Sequence, residues 1–271
     1  MALPSVHATR SNSFVVWDAA RKNRSIITGP LRPIRIGDNV VDTAKWAGIA
    51  PPADAANANV PAAGGKARRT RRTTIARRNR QIAERTLQHV VGRADVLDDL
   101  LCAACDAPPD ECPGAKCRAR FRRRVLAASA AAVELRHTGD DRLGYGVFVR
   151  PGRTIRDGDW LGEYLGEVMP KAALPNTSAY AFELQPATAA VDATRCGSWT
   201  RFVNHACQPN VEAITIAVGG RLGVLYRAVD DIGPGKELRV NYGPDYFRAL
   251  GKLCVCNAEP APHKPTWDDD E

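Results

Sequence analysis

Four cysteines fall within sixteen residues of this 271-residue chain: Cys102, Cys105, Cys112 and Cys117, spaced x2, x6 and x4 with Pro and Gly between them. A tetrahedral zinc ion takes about four soft ligands, and a Cys-x2-Cys pair supplies two of them from one turn. Four unrelated reduced thiols on a loop would look the same, so both readings stand at this point. The eight cysteines, in a chain whose first 24 residues lack an apolar signal core, read as thiols or zinc ligands rather than disulfides. Two other phrases concentrate polar and aromatic side chains: Arg201-Phe-Val-Asn-His-Ala-Cys-Gln-Pro-Asn210 and Glu237-Leu-Arg-Val-Asn-Tyr-Gly243. A lone histidine is most often a satisfied core residue, and a lone tyrosine at a strand end is most often packing. Here each has neighbours that bear on its role.

The elements that must carry these residues change character along the chain. Residues 1–50 hold scattered apolar side chains, including Phe14, Val15, Val16 and Trp17, with no sustained period. Residues 51–65, rich in Ala, Pro, Asn and Gly, read as a linker. From Lys66 the pattern turns helical, with Ile75, Ile82, Val90 and Val91 near one face and Gly92 as a stop. Arg120 to Leu135 reads as an alanine-rich helix or, in part, as a first strand. Beyond Gly144 come strand-length pieces at Tyr145–Val149, Trp160–Val168, Tyr180–Leu184, Gly223–Val229 and Glu237–Tyr242, separated by turn residues such as Pro151-Gly152 and Asp157-Gly158. Many short strands with little helix between them predict a mainly β domain.

Composition is ordinary for a globular protein, at 44% apolar and 25% charged residues, and no run of about 18 apolar residues predicts a membrane span. Charge is distributed unevenly. Residues 66–80 carry eight Lys or Arg and residues 116–124 carry six, with no acid in either run. Set aside these 14 of the 38 basic residues, and 24 remain against 30 acidic ones. A mildly acidic body would attract a cationic peptide, while the run at 66–80 would suit nucleic acid or an import receptor. Solvated helix faces are the plainer reading of both runs.

Taken together and in order, Leu143-Gly-Tyr-Gly-Val-Phe148, the Asn204-His205 phrase, the Tyr242 phrase and Cys254-Val-Cys256 resemble the SET-domain protein lysine methyltransferases, over roughly residues 133–256. The resemblance implies a fold of several small sheets with a pseudoknot, here preceded by a helical N-terminal arm. It divides the chain into an N-terminal segment and linker (1–65), a basic helical arm (66–101), a pre-SET-like cysteine segment (102–132), a catalytic domain (133–243) and a post-SET-like tail (244–271). It further implies S-adenosylmethionine as methyl donor, structural zinc, a histone or other basic protein as substrate, and a nuclear location. By the same resemblance Tyr242, Tyr164 and Tyr180 are catalytic. Gly144, Tyr145, Gly146, Tyr164, Arg201, Phe202, Asn204 and His205 bind the cofactor, and Val240 and Tyr180 line the substrate channel. Cys207, Cys254 and Cys256 would share a second zinc, whose usual fourth thiol is replaced by Ala261. His263 is then the candidate fourth ligand, or else a polar residue of a Pro-rich tail.

The chemistry implied sets its own demands. A lysine amine, with an ordinary pKa of about 10.4, must be neutral to attack. A narrow apolar channel beside a sulfonium favours the neutral form. Nitrogen, methyl carbon and sulfur must then be held near a line. Val240 stands where the family usually has Phe or Tyr, which implies room for two or three methyl groups. Val240 and Ala261 also leave open an inactive SET-like module that binds chromatin or a partner. A methyltransferase for a non-histone protein is the third possibility.

Overall fold

The computed structural model describes residues 100–185 and 187–256, with 15–18, 23–26, 34–36, 38–41, 45, 87–88, 91–92 and 97 before them. Four short strands come first: β1 (Val15–Asp18), β2 (Asn23–Ile26), β3 (Ile34–Arg35) and β4 (Val40–Val41). The cysteine loop leads into a helical run made of α1 (Ala115–Phe121), a π-helical turn (Arg122–Leu126) and α2 (Ala127–Ala132). Then follow β5 (Val133–His137), β6 (Tyr145–Val149), β7 (Trp160–Tyr164), β8 (Glu167–Pro170), β9 (Ala181–Leu184), β10 (Ala189–Asp192) and β11 (Cys196–Gly197). A 3-10 turn (Trp199–Phe202) precedes β12 (Asn204–His205), β13 (Val211–Ala217), β14 (Leu222–Ala228), β15 (Glu237–Val240) and a final helix, α3 (Pro244–Leu250).

These strands make three sheets. The largest runs β2-β1-β5-β6-β15-β13-β14-β7, with β12 also paired to β15; the others are β4-β8-β10-β9 and β11-β3. The mainly β expectation holds, and both readings of the segment from Arg120 to Leu135 are realised in turn. Alanine, the best helix former, carries the chain to Ala132, and β-branched Val133 then adopts extended backbone at φ −114° and ψ 161°. Val133 and Leu135 of β5 are buried against Val149 and Val147 of β6, as a period of two requires, and Gly146 is covered as well.

Three expectations need correction. Trp160–Val168 is two strands, because the chain leaves the large sheet after Tyr164 and enters the four-stranded one at Glu167. Gly166 permits the crossing: a Cβ there would lie 2.4 Å from the Asp192 carbonyl oxygen. The residues before 50 have no sustained period, yet their strands contribute to all three sheets, pairing in parallel as β1 with β5, β3 with β11 and β4 with β8. Strands of two to four residues are too short to show a period; backbone partners make them. Val211–Ala217 is also a strand, seven residues paired throughout with β14. Of the basic arm, residues 66–80 lie outside the described residues; Leu87 and Val91 are helical and buried, and Gly92 follows. Among the described residues no helix is long and apolar enough to cross a membrane.

A half-buried ion network fastens the N-terminal segment to this body. Arg122 donates to Glu163 Oε2 through Nε at 2.8 Å and through Nη2 at 2.6 Å, and also to Asp38 Oδ1 at 2.9 Å. Burial pushes the Glu163 carboxyl up, and the Arg122 guanidinium opposes this. Lys45 reaches the buried Glu167 at 2.6 Å.

The cysteine loop is docked on the turn between β13 and β14. There Gly219 and Gly220 both have positive φ, 56° and 71°, as a two-residue hairpin loop of the I′ kind demands. Gly219 N–H donates to Cys102 Sγ at 3.3 Å, and Arg118 Nη1 donates to the Gly219 carbonyl at 2.9 Å. A Cβ at Gly219 would sit 2.4 Å from the Gly114 carbonyl oxygen. Gly219→Ala is therefore expected to lower unfolding stability by about 1–3 kcal/mol, combining backbone strain and collision. Urea denaturation checks this; an unchanged midpoint would mean the loop does not pack on the turn.

Candidate active site

The short strand β12 determines where the site lies. Asn204 pairs with Arg239 and His205 with Val240, in parallel, so two phrases some thirty residues apart in sequence run side by side. The pairing is reinforced at the end of β15. Ala206 N–H donates to the Val240 carbonyl at 3.1 Å. Tyr242 N–H donates to His205 Nδ1 at 3.1 Å, and the Tyr242 hydroxyl donates to the Val203 carbonyl at 2.7 Å. Tyr242 is thus held at both its backbone and its tip by residues 203–206.

Because His205 Nδ1 accepts a backbone N–H, the neutral ring carries its proton on Nε2. That nitrogen stands 3.5 Å from Cys207 Sγ. Asn204 Nδ2 uses both its protons, on the Tyr145 carbonyl at 3.2 Å and on Glu237 Oε1 at 2.9 Å, which leaves Oδ1 as its acceptor. Arg201 is buried, donates from Nε to the Ala193 carbonyl at 2.9 Å, and lies 4.1 Å above the Tyr180 ring and 4.9 Å from that of Phe202.

Around these groups opens a cleft of about 330 Å³, a volume within the range of small-molecule sites. Gly144, Tyr145, Tyr180, Arg201, Phe202, Asn204, His205 and Tyr242, all singled out from the sequence, line it. So do residues that sequence reasoning missed: Tyr246 and Phe247 on α3, Arg142, and Lys252, Leu253 and Val255 beyond it. Pro244 at the start of α3, directly after Gly243, was the available signal, since Pro favours the first turn of a helix. That helix sets Tyr246 4.6 Å from Tyr242 and Phe247 4.8 Å from His205, measured between ring centres.

Three candidates are not among the lining residues. Gly146 makes room for a side-chain pair: a Cβ there would lie 2.4 Å from Glu237 Oε1 and 3.1 Å from Asn204 Nδ2. Val240 is 1% exposed, on the core side of β15. Tyr164 stands behind Tyr180 and donates its hydroxyl to the Tyr180 carbonyl at 2.9 Å. Burial pushes the Tyr164 and Tyr242 phenols well above the usual tyrosine range, so both stay protonated at neutral pH.

Two cysteine groups among the described residues could hold a metal. In the first, the four sulfurs of Cys102, Cys105, Cys112 and Cys117 lie within 4.8 Å of one another, with Cys102–Cys117 at 3.8 Å and Cys105–Cys112 at 3.7 Å. Zinc–sulfur bonds of about 2.3 Å give a tetrahedron with edges of about 3.8 Å, so this donor set fits zinc. Burial works against the Cys102 thiolate, but N–H groups of Gly219 and Ala104 and the Cys105 and Cys112 thiols bring it down to about 7. The second group joins Cys207 and Cys254, 3.9 Å apart, with His205, and Cys256 N–H donates to Cys254 Sγ at 3.3 Å. His205 is a neighbour there rather than a donor, since its Nε2 holds the proton. His263 and Ala261 lie outside the described residues.

Comparison with known proteins bears on the same residues. A family model described as the SET domain matches residues 144–243. Histone-lysine N-methyltransferase NSD3 of Mus musculus is 30% identical over 161 residues, covering 56% of this chain and 11% of that protein. Histone-lysine N-methyltransferase ash1 of Drosophila melanogaster is 34% identical over 179 residues, 61% of this chain and 8% of that protein. The chain thus spans about a tenth of the length of these relatives. Among solved structures, Polycomb Repressive Complex 2 of Chaetomium thermophilum is 28% identical, with a TM-score of 0.38, over 44% of this chain and 17% of that one.

Two outcomes follow from the geometry. Metal analysis of protein purified without chelator should find zinc, of which Cys117→Ser removes one equivalent per chain, with a lower melting temperature; wild-type protein free of zinc would refute the tetrahedral set. The phenols of Tyr164, Tyr226 and Tyr242 titrate higher folded than their ordinary value near 10, so their contribution to stability is present below that pH and lost as pH rises beyond it. The melting temperature should therefore fall above pH 10, together with the rise of tyrosinate absorbance. Full tyrosinate absorbance from a protein that stays folded would contradict the burial.

Proposed function

Because residues 144–243 are a SET domain, we propose that this chain is an S-adenosylmethionine-dependent protein-lysine N-methyltransferase acting on a histone tail or another basic protein. Support comes from relatives that are themselves named histone-lysine N-methyltransferases. The single observation that carries the reading is the Tyr242 hydroxyl, bonded to the Val203 carbonyl and sharing one cleft with Asn204 and His205.

The residues present suit such a donor. Arg142 and Lys252 bring positive charge to the cleft for a carboxylate, Asn204 Oδ1 is an acceptor for an amino group, and Phe247 and Tyr246 offer ring surface to a flat base. Gly144, with φ +64°, lets backbone approach a ligand where a Cβ would stand. S-adenosylmethionine, when bound, supplies a methyl group activated by positively charged sulfur.

The rest is done by the chain. Aromatic walls at Tyr180, Tyr242 and Tyr246 remove water from an entering lysine and favour its neutral amine. Tyr242 has committed its proton to Val203, so its oxygen faces the cleft with lone pairs that can accept an amine N–H or a polarised C–H. Its raised pKa keeps the phenol protonated and so unavailable as a base, and the lysine proton leaves to solvent. Positioning, not proton abstraction, is the task of this hydroxyl. Both cysteine groups are read as structural zinc sites. The same reading puts the chain at chromatin in the nucleus, with the basic run at residues 66–80 available for import or nucleic-acid contact.

Labelled S-adenosylmethionine with core histones or nucleosomes tests this. Tyr242→Phe should lower kcat on the order of 10²-fold while cofactor affinity changes little. Equal rates for variant and wild type would remove Tyr242 from the chemistry. A wild type that binds the cofactor yet labels nothing would favour a binding module, and a single labelled non-histone band would move the substrate away from histones.

A further inference from the structure

The basic run at residues 116–124 divides in two once it is folded. Cys117, Arg118, Phe121 and Leu126 form the buried side of the helical run. Two of the cations have structural tasks: Arg118 donates to the Gly219 carbonyl, and Arg122 is paired with Glu163 and Asp38. The others, Lys116, Arg120, Arg123 and Arg124, are exposed. At about 100° per residue they fall within an arc of about 100°, opposite the buried side. Among the described residues, none of them forms an ion pair or a side-chain hydrogen bond.

A solvated helix face gains from mixed signs, with acid and base at i and i+4. This face has one sign only. Lys116 with Arg120, and Arg120 with Arg124, are like charges at i and i+4, and each such pair destabilises the helix. Lys116 also stands in the first turn, where the helix dipole opposes a cation and no acid offsets it. The row thus works against the element that carries it, and a polyanion lying along it removes the repulsion.

The face also indicates which polyanion. The exposed residues between and just beyond the cations are Ala119, Ala127 and Ala128, so it lacks the apolar or aromatic anchor of a protein interface. Arg120, Arg123 and Arg124 are arginines, whose planar fork takes phosphate oxygens two at a time. Lys116 to Arg124 covers about 12 Å of helix. One DNA strand carries a phosphate about every 3.4 Å along the axis, so the row matches successive phosphates. None of these side chains lines the cleft, and the helix is fastened instead to β7, where Ser129 Oγ donates to the Trp160 carbonyl at 2.6 Å.

We propose that Lys116, Arg120, Arg123 and Arg124 form a docking surface for the phosphate backbone of duplex DNA. Phosphate contacts carry no base readout, so the binding is independent of sequence. The surface does not depend on the methyltransferase reading. Together with that reading, it anchors the enzyme to the DNA that wraps a histone substrate.

The test compares the full chain with a variant carrying Lys116→Gln, Arg120→Gln, Arg123→Gln and Arg124→Gln, which removes the charge and keeps good helix formers. The run at residues 66–80 is the same in both proteins, so its contribution cancels. On a fluorescent duplex of arbitrary sequence, wild-type affinity should fall roughly 100-fold more than the variant's as salt rises from about 50 to 200 mM, the share of about four phosphate contacts. The variant's melting temperature should equal or exceed that of the wild type, because like charges are removed and no partner is lost. Equal salt dependence of the two proteins overturns the proposal. So does a variant that loses binding to poly-glutamate but not to DNA, which makes the partner an acidic protein. A melting temperature lower by several degrees overturns it as well, by assigning the row to the fold. A wild type that methylates no protein, with the difference on DNA intact, takes down the methyltransferase reading alone.

Discussion

The hydrogen bond from Tyr242 N–H to His205 Nδ1 is the constraint on which the site depends. It closes a parallel pairing between β12 and β15 that only two residues on each side support. Two-residue strands have little strength alone. Here the Tyr242 hydroxyl on Val203 and the Ala206–Val240 backbone bond flank the pairing, so the segment 203–206 and the end of β15 move as one piece. The groups facing the cleft are oriented by backbone connections of this kind. Asn204 is aimed by Glu237, which is in turn paired with Arg239 Nε at 3.0 Å, and all three belong to the same two strands. A geometry that tolerates small error needs this rigidity, since misplacement by an ångström costs rate steeply.

What the sequence made legible follows from the same fact. Side chains that project from β12 and from the end of β15 must be of particular types, so Asn204, His205 and Tyr242 stand out as a phrase. Arg201 and Phe202 come with them because the 3-10 turn just before β12 has to be buried. By contrast, Tyr246, Phe247 and Lys252 enter the cleft through the direction of α3, and that direction is a tertiary property that no spacing reveals. Gly146 was legible as a glycine that something needed, but not what needed it; the neighbour is the Asn204–Glu237 pair, from two other strands. The strands before residue 50 were hidden because they are made by partners, and β13 because its middle residues are half-buried on both faces and show no clean alternation.

Electrostatics divides the molecule into two regions with different requirements. Around Arg122, charges are paired directly: Glu163 and Asp38 share one guanidinium, and removal of Arg122 would leave the mostly covered Glu163 carboxylate without its partner. That network fixes β7, and the residue after Glu163 is Tyr164, whose ring supports Tyr226 and Phe182. Around the cleft, the cations Arg142, Arg201 and Lys252 stand among aromatic rings with no acidic side chain in the lining, so a protonated amine meets walls that favour its neutral form. The ion network thus holds the aromatic wall in place without bringing a carboxylate to it.

The cysteine groups fit this division differently. The first is anchored on the β13–β14 turn, and Cys102 faces Gly219 rather than any cleft residue, so a metal there would brace the sheet without touching the chemistry. The second is continuous with the site itself. Cys207 is two residues past His205 and touches its Nε2, while Cys256 lines the cleft. The tail after α3 therefore reaches the cleft along the path that joins Cys254 and Cys256 to Cys207, a thiol fixed by β12. Anything that gathers these sulfurs sets the position of Leu253, Val255 and Lys252 as well, because they alternate with or adjoin Cys254 and Cys256. The wall of the cleft contributed by the tail is in this sense an extension of the β12–β15 pairing, transmitted through sulfur instead of through backbone hydrogen bonds.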